Sequence, residues 1–312
     1  MTGVHQGDVV SDEDLESARL GYASSGLVSE SALPPGGSAV SDTESGTPLE
    51  YLESVSKEFT MNVDTPAKRQ RAYYADTADR YEADHVHDGD EHYFALQHIA
   101  FYLKWIDAHS VLDTGCGTGR ATRFLRGSLP HASIRGNDPS EELLAIAVRD
   151  HGVPADALDC CPSERLPYGD SSFDAVVATG VLHHVAEPEK VVAEMLRVAR
   201  AAIFISDCNI YGQGGRVARL FKRLLASAHL LRSVNWVRRG GHNWFYSPGD
   251  GIAYSYSVYD SIPQLRKSCP SIVVIPTHLL GMTGSSPLSE SSHCLVSAFK
   301  TALTTPLQAV DR

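Results

Sequence analysis

Beyond about Ala67 the apolar positions fall into two alternating periods. In AKRQRAYYADTADRYEADH, Tyr74, Ala78 and Tyr81 recur at helical spacing, and Leu96, Ile99, Leu103 and Ile106 carry that period through HYFALQHIAFYLKWI, so two helices are predicted ahead of residue 110. From there, strand-like apolar runs over 110–113, 132–137, near 158, 173–179 and 202–206 alternate with amphipathic stretches over 119–127, 141–149 and 188–200. Such alternation predicts βαβ units on a parallel sheet. Ser140 is placed to cap the helix at 141–149, and Glu141 and Glu142 in its first turn suit the positive end of the helix dipole. Two later runs, SIVVIPT (271–277) and HCLVSAFK (293–300), can close the sheet as an antiparallel pair, which makes the expected class α/β with seven strands.

Two stretches stand outside this alternation. Residues 1–65 are rich in Ser, Gly, Glu and Asp and cannot bury enough apolar surface to offset their ordering entropy. They are expected to form a disordered acidic tail ahead of a domain over 66–312, the alternative being a docking or oligomerisation arm around Leu15 to Leu27. Residues 208–260 are expected to form a helical cap, a substrate-binding insertion. From Cys208 to Gly249 there is no Asp or Glu, while Arg216, Arg219, Lys222, Arg223, Arg232, Arg238 and Arg239 accompany an apolar stripe of Val217, Leu220, Phe221, Leu224 and Leu225. The stripe reads either as ordinary packing with the arginines solvated, or as part of a charged lid over an anionic or carbonyl-bearing substrate.

The chain's net charge of −11 is concentrated at one end. Ten acids and one arginine in residues 1–53 account for −9, leaving −2 for the remainder, so no broad basic footprint for nucleic acid is visible. The six cysteines show neither CxxC nor Cys/His metal spacing, and the expectation is reduced thiols with no metal. No long apolar span and no secretory leader is legible, which points to a cytoplasmic protein without a membrane partner.

The stretch VLDTGCGTGR (111–120) joins the first strand to a helix through three alternating glycines. Exposed amides and a helix N-terminus make a general nucleotide site. The spacing is G-x-G-x-G, not the dinucleotide fingerprint, and no Gly-Lys-Ser/Thr follows as in a phosphate loop. Asp113 precedes the glycines and Asp138 ends the next strand, where a carboxylate can accept both ribose hydroxyls. An acid so close to the loop would repel a pyrophosphate and suits a cationic nucleoside.

VLDTGCGTGR, NDPSEELLAIA and ERLPYGDSSFDAVVATGVLHHV, in that order, resemble the class I S-adenosylmethionine-dependent methyltransferases, in particular the small-molecule group similar to the quinone-biosynthesis enzymes. The resemblance spans about Tyr73 to Asp207 and implies a Rossmann-like, mostly parallel seven-stranded sheet with helices on both faces. It implies S-adenosyl-L-methionine as cofactor and S-adenosyl-L-homocysteine as product. By that resemblance Asp113, Gly115 and Gly117 border the methionine moiety, Cys116 is a further cofactor-binding residue, Asp138 holds the ribose and Pro139 packs on the adenine. Thr179 to Leu182 line the sulfonium and substrate side, and Tyr81 closes over the cofactor. Where the family often has an Asp that accepts from the adenine amino group, this chain reads Cys161-Pro162-Ser163, so Ser163 or Asp159 is expected to substitute.

Methyl transfer from a sulfonium needs mainly alignment, and a base only for hydroxyl or acidic-carbon acceptors. His183, His184 and Asp207 are the candidate catalytic residues; Asn209 shares the same edge, and His242 and Tyr256 are further proton-transfer candidates from the cap. The alternative for the His pair is packing and backbone hydrogen bonding. The chain lacks the Asn/Asp-Pro-Pro-Tyr/Phe turn common in enzymes that methylate exocyclic amines, so nucleic acid is disfavoured and a small-molecule acceptor methylated on oxygen or carbon is expected. A homodimer is left open. The competing reading is a non-catalytic methyltransferase-like regulatory or scaffold subunit.

Overall fold

β1 (Ser110–Thr114), β2 (Ser133–Asp138), β3 (Leu158–Cys160), β4 (Phe173–Thr179) and β5 (Ala199–Cys208) are parallel neighbours. A small hairpin follows, β6 (Trp244–Ser247) with β7 (Gly251–Tyr254). β8 (Ser271–Pro276) and β9 (His293–Phe299) then complete a seven-stranded sheet in the order β3-β2-β1-β4-β5-β9-β8, with β9 antiparallel to both neighbours. The chain moves outward from β1 through β2 to β3 and then returns to β4 on the other side of β1. That reversal opens a crevice at the carboxyl ends of β1 and β4, where α/β sheets bind ligands.

The computed structural model describes residues 65, 66, 69, 70, 72–74, 77, 90–227, 230–247, 251–278 and 290–303. Tyr81, the arm around Leu15 to Leu27 and the remainder of the 1–65 segment short of Thr65 lie outside them. Described residues between 66 and 77 are helical, followed by α1 (Glu91–Trp105), α2 (Arg120–Ser128), α3 (Glu141–Arg149), α4 (Pro188–Val198), α5 (Arg216–Ser227), α6 (Leu231–Arg238) and the short α7 (Ile262–Leu265). No helix among the described residues is long and apolar enough to cross a membrane.

Period two along the central strands divides the core between the two faces. Val177 and Phe204 pack with Leu96, Ile99 and Leu103 of α1 and Leu125 of α2. Their neighbours Val176, Ile203 and Ile205 pack on the other face with Val191, Val192 and Met195 of α4. Strands buried on both faces explain why these runs are nearly continuously apolar. Local chemistry sets the helix ends. Asp90 caps α1 by accepting from the Tyr93 N–H at 2.7 Å, and Ser140 caps α3 by accepting from the Leu143 N–H at 3.3 Å. Gly119, at φ +83°, begins α2, and a Cβ there would lie 2.7 Å from that of Ala147.

Two expectations are corrected. α4 ends at Val198, not Arg200, because Lys300 from the end of β9 donates to the carbonyls of Leu196 and Ala199 at 2.6 Å each, and β5 starts directly afterwards. The stripe on α5 is not core: Val217 is 83% exposed, and Leu220, Phe221 and Leu224 are also exposed. The inward side carries Arg219 and Lys222 instead, with Lys222 Nζ donating to the carbonyls of Ile210 and Gln213 at 3.0 and 3.2 Å. Helical spacing revealed an apolar face without revealing which face the protein would cover.

Candidate active site

The crevice holds a cavity of about 600 Å3, a size suited to a small organic ligand. Gly115, Cys116, Gly117, Asp138, Pro139, Ser163, Thr179, His183 and His184 all line it, so folding gathers nine of the sequence-chosen residues around one hollow. Gly117 has φ +52°, and a Cβ there would meet only Leu143, at 3.9 Å, which leaves its backbone bordering open space.

Asp138 is 7% exposed and accepts hydrogen bonds from the N–H groups of Gly117 and Ser140, at 3.0 and 2.9 Å, through different oxygens. The loop and the start of α3 thus hold its carboxylate at the tip of β2. Burial raises its pKa to about 6 against the pull of those two donors. Asp113 differs. It is fully buried, it is not among the cavity-lining residues, and its Oδ2 accepts from the Thr122 hydroxyl at 2.7 Å, binding β1 to α2. Its Oδ1 has no hydrogen-bond partner among the described residues, and burial raises the group to about 7. The expectation that Asp113 borders a ligand is therefore corrected: it supports the loop from behind.

At the adenine turn, Ser163 lines the cavity while accepting from the Thr114 hydroxyl at 2.9 Å. Asp159 does not reach in, because Arg135 at 2.7 Å and the Tyr168 hydroxyl at 2.5 Å hold its carboxylate.

The His pair divides into two roles. His183 Nδ1 lies 2.8 Å from Asp207 Oδ1, and Asp207 is fully buried. Burial alone would raise the Asp207 carboxyl; the His183 charge and hydrogen bond, with the Cys208 N–H, outweigh it and hold the group below the usual carboxylate range. With Nδ1 engaged by a buried carboxylate, Nε2 is the basic nitrogen of the neutral ring. Asp207 also accepts from the Leu182 N–H at 2.8 Å, so it fixes the backbone that carries His183. It is not a cavity-lining residue, which makes it a positioning residue and not the catalytic one that the sequence implied. His184 Nδ1 donates to the Ile252 carbonyl at 2.7 Å, tying the turn after β4 to β7.

The remaining candidates lie elsewhere. Asn209 is buried, donating to the Ser291 carbonyl at 2.8 Å and accepting from the Tyr211 N–H at 3.1 Å, so it organises the chain after β5 instead of facing the crevice. Tyr256 is buried beside the Ser261 hydroxyl at 2.7 Å, and neither it nor His242 lines the cavity.

Among the lining residues that sequence reasoning missed are Asp90, Glu91, His92, Arg120 and His293. Arg120 forms an ion pair with the α1 cap Asp90 at 2.6 Å, which places a guanidinium and a carboxylate on the wall. His92 is half-buried with Nδ1 3.2 Å from the Ser206 hydroxyl, and burial lowers its pKa. Burial likewise pushes the His293 imidazole down, although Glu91 lies 3.5 Å away. Glu91, His278 and His293 offer one donor atom each within 4.8 Å of one another, a grouping of metal-ligand type that spacing along the chain conceals. The readable signal was the polar DEH before the apolar helix at 93–105.

A glycine-loop cavity at the switch point, a carboxylate at the tip of the second strand and a His–Asp pair after the fourth meet in one crevice, an arrangement able to hold a nucleoside. Over residues 112–202 the chain matches the family described as a methyltransferase domain. It is 34% identical over 135 residues to methyltransferase GfsG of Streptomyces halstedii, covering 41% of this chain and 48% of that one. It is 30% identical over 161 residues to O-methyltransferase cnsE of Penicillium expansum, covering 46% and 55%. It is also 31% identical over 93 residues to the ubiquinone/menaquinone biosynthesis C-methyltransferase UbiE of Desulfotalea psychrophila, covering 30% and 38%. The chain thus spans about half or less of the length of these relatives. A solved magnesium protoporphyrin IX methyltransferase from Synechocystis with bound S-adenosylhomocysteine aligns with 74% of this chain and 97% of its own, at 17% identity and a TM-score of 0.48.

Proposed function

We propose that the protein transfers a methyl group from S-adenosylmethionine to an oxygen or acidic carbon of a small-molecule acceptor, with His183 as the general base. The His183–Asp207 pair at the cavity wall is the observation that carries this reading. Bound S-adenosylmethionine supplies an electrophilic methyl carbon on a positively charged sulfur. The residues present fit that molecule. Asp138 can accept both ribose hydroxyls, Pro139 offers an apolar surface to the base, and Gly117 leaves room against the backbone. Asp90 and Arg120 offer opposite charges for the amino-acid end. Near neutral pH, Nε2 of His183 accepts the acceptor's proton while Asp207 holds the ring and stabilises its positive charge. The 208–260 segment serves as the cap over the acceptor.

Incubating the full chain with methyl-labelled cofactor and a panel of hydroxyl and 1,3-dicarbonyl acceptors tests this reading. Label is expected in an acceptor, and His183→Asn should lower kcat by about 10²–10⁴-fold, the usual contribution of a general base, with S-adenosylhomocysteine affinity retained. Asp207→Asn should lower kcat and move the acidic limb of the pH–rate profile. Wild-type turnover in His183→Asn would overturn the assignment of the base.

A further inference from the structure

A second chamber of about 680 Å3 adjoins the first, and His183, Tyr254 and His293 line both. It lies beneath α5, α6 and the β6–β7 hairpin. Its apolar wall includes Phe221, Leu225, Leu231, Val234 and Phe245, and its cations are Lys222, Arg238 and Arg239. Among the described residues, none of those lining it is Asp or Glu.

Arg120, Arg135 and Arg197 each meet a carboxylate within 3.0 Å, whereas Lys222, Arg238 and Arg239 form no ion pair among the described residues. Lys222 is held by two carbonyls, and the Arg239 guanidinium sits 4.5 Å from the Phe245 ring centroid and donates to the Asn243 carbonyl at 3.3 Å. Burial and the neighbouring charge of Arg238 lower the pKa of both Lys222 and Arg239. Like charges crowded into a partly dry hollow repel one another, and a bound anion would convert that cost into attraction. The apolar wall independently limits the anion to one attached to a hydrophobic body.

We propose that this chamber binds the methyl acceptor, and that the acceptor is an amphipathic anion: an apolar skeleton ending in a carboxylate or phosphate that lies against Lys222, Arg238 and Arg239, with its nucleophilic atom at His183. The proposal rests on the methyltransferase reading for naming the ligand as methyl acceptor and for placing its nucleophilic atom at His183; anion binding stands apart from it. Arg238 and Arg239 act here as specificity residues and do not line the glycine-loop cavity.

The test is calorimetric titration of the full chain, saturated with S-adenosylhomocysteine, with dodecanoate, dodecyl phosphate and dodecanol, each below its micellar concentration. Dodecanoate or dodecyl phosphate should bind at least tenfold tighter than dodecanol, and whichever anion binds more tightly identifies the preferred head group. Arg238→Gln/Arg239→Gln should erase the preference while S-adenosylhomocysteine still binds as to wild type. Equal affinity for the three probes, or a preference that survives in the double variant, would overturn the proposal. If S-adenosylhomocysteine itself fails to bind, the cofactor reading falls, and the same titrations of the unliganded chain still decide whether the chamber selects anions.

Discussion

The two chambers meeting at His183 are built on different principles. The one at the glycine loop stands on the tips of β1, β2 and β4, strands buried on both faces, and its main polar group, Asp138, is fixed by two backbone N–H groups. The one beneath the insertion stands on α5, which contributes no buried residue to the core, and it carries the long cations Lys222, Arg238 and Arg239. On the proposed function, the methyl donor is held by the sheet's frame, while the acceptor is held by elements that can vary without disturbing the sheet.

The sharpest way to break this contrast is at Asp138. Asp138→Ala should weaken S-adenosylhomocysteine binding by more than about 100-fold, since each charge-assisted hydrogen bond is worth about 1.5–3 kcal/mol, whereas Arg238→Gln should leave it unchanged; calorimetry reads both. The next contrast concerns stability. Leu103→Ala, at a fully buried position of α1, should cost about 2–5 kcal/mol by denaturant unfolding, and Leu220→Ser on the exposed face of α5 less than about 0.5 kcal/mol. The smallest effect is pH dependence. Asp138 has its pKa raised to about 6, and only its ionised form accepts from both ribose hydroxyls. Affinity for S-adenosylhomocysteine should therefore be level above pH 7 and weaken below about 6, towards tenfold per pH unit; titrations at pH 5, 6 and 7.5 measure it. Strengthening on acidification would reverse the assigned role of the carboxylate.

The two chambers were also unequally legible in the sequence. Strand ends carry their own signals, because apolar runs mark β1 and β4 and a glycine loop or a Gly-x-x-His-His turn marks where each stops. Those signals brought Gly117, Asp138 and His183 to one edge. They did not separate Asp138, which faces the cavity, from Asp113, which turns back to Thr122, because strand periodicity fixes a side without fixing a side chain's partner. The insertion announced its charge clearly and its orientation not at all. The stripe from Val217 to Leu224 is exposed, and Lys222 faces inward because the Ile210 and Gln213 carbonyls take its ammonium group. Glu91, His278 and His293 converge only through folding of α1 against β9 and the end of β8, which no local spacing encodes.

A crystal structure of the full chain with S-adenosylhomocysteine tests the central claim most directly. The ribose should lie against Asp138, the base beside Pro139, and the sulfur should face His183 and the chamber beneath α5 and α6. Ligand density anywhere other than along the glycine loop, or a sulfur turned away from His183, would contradict the account.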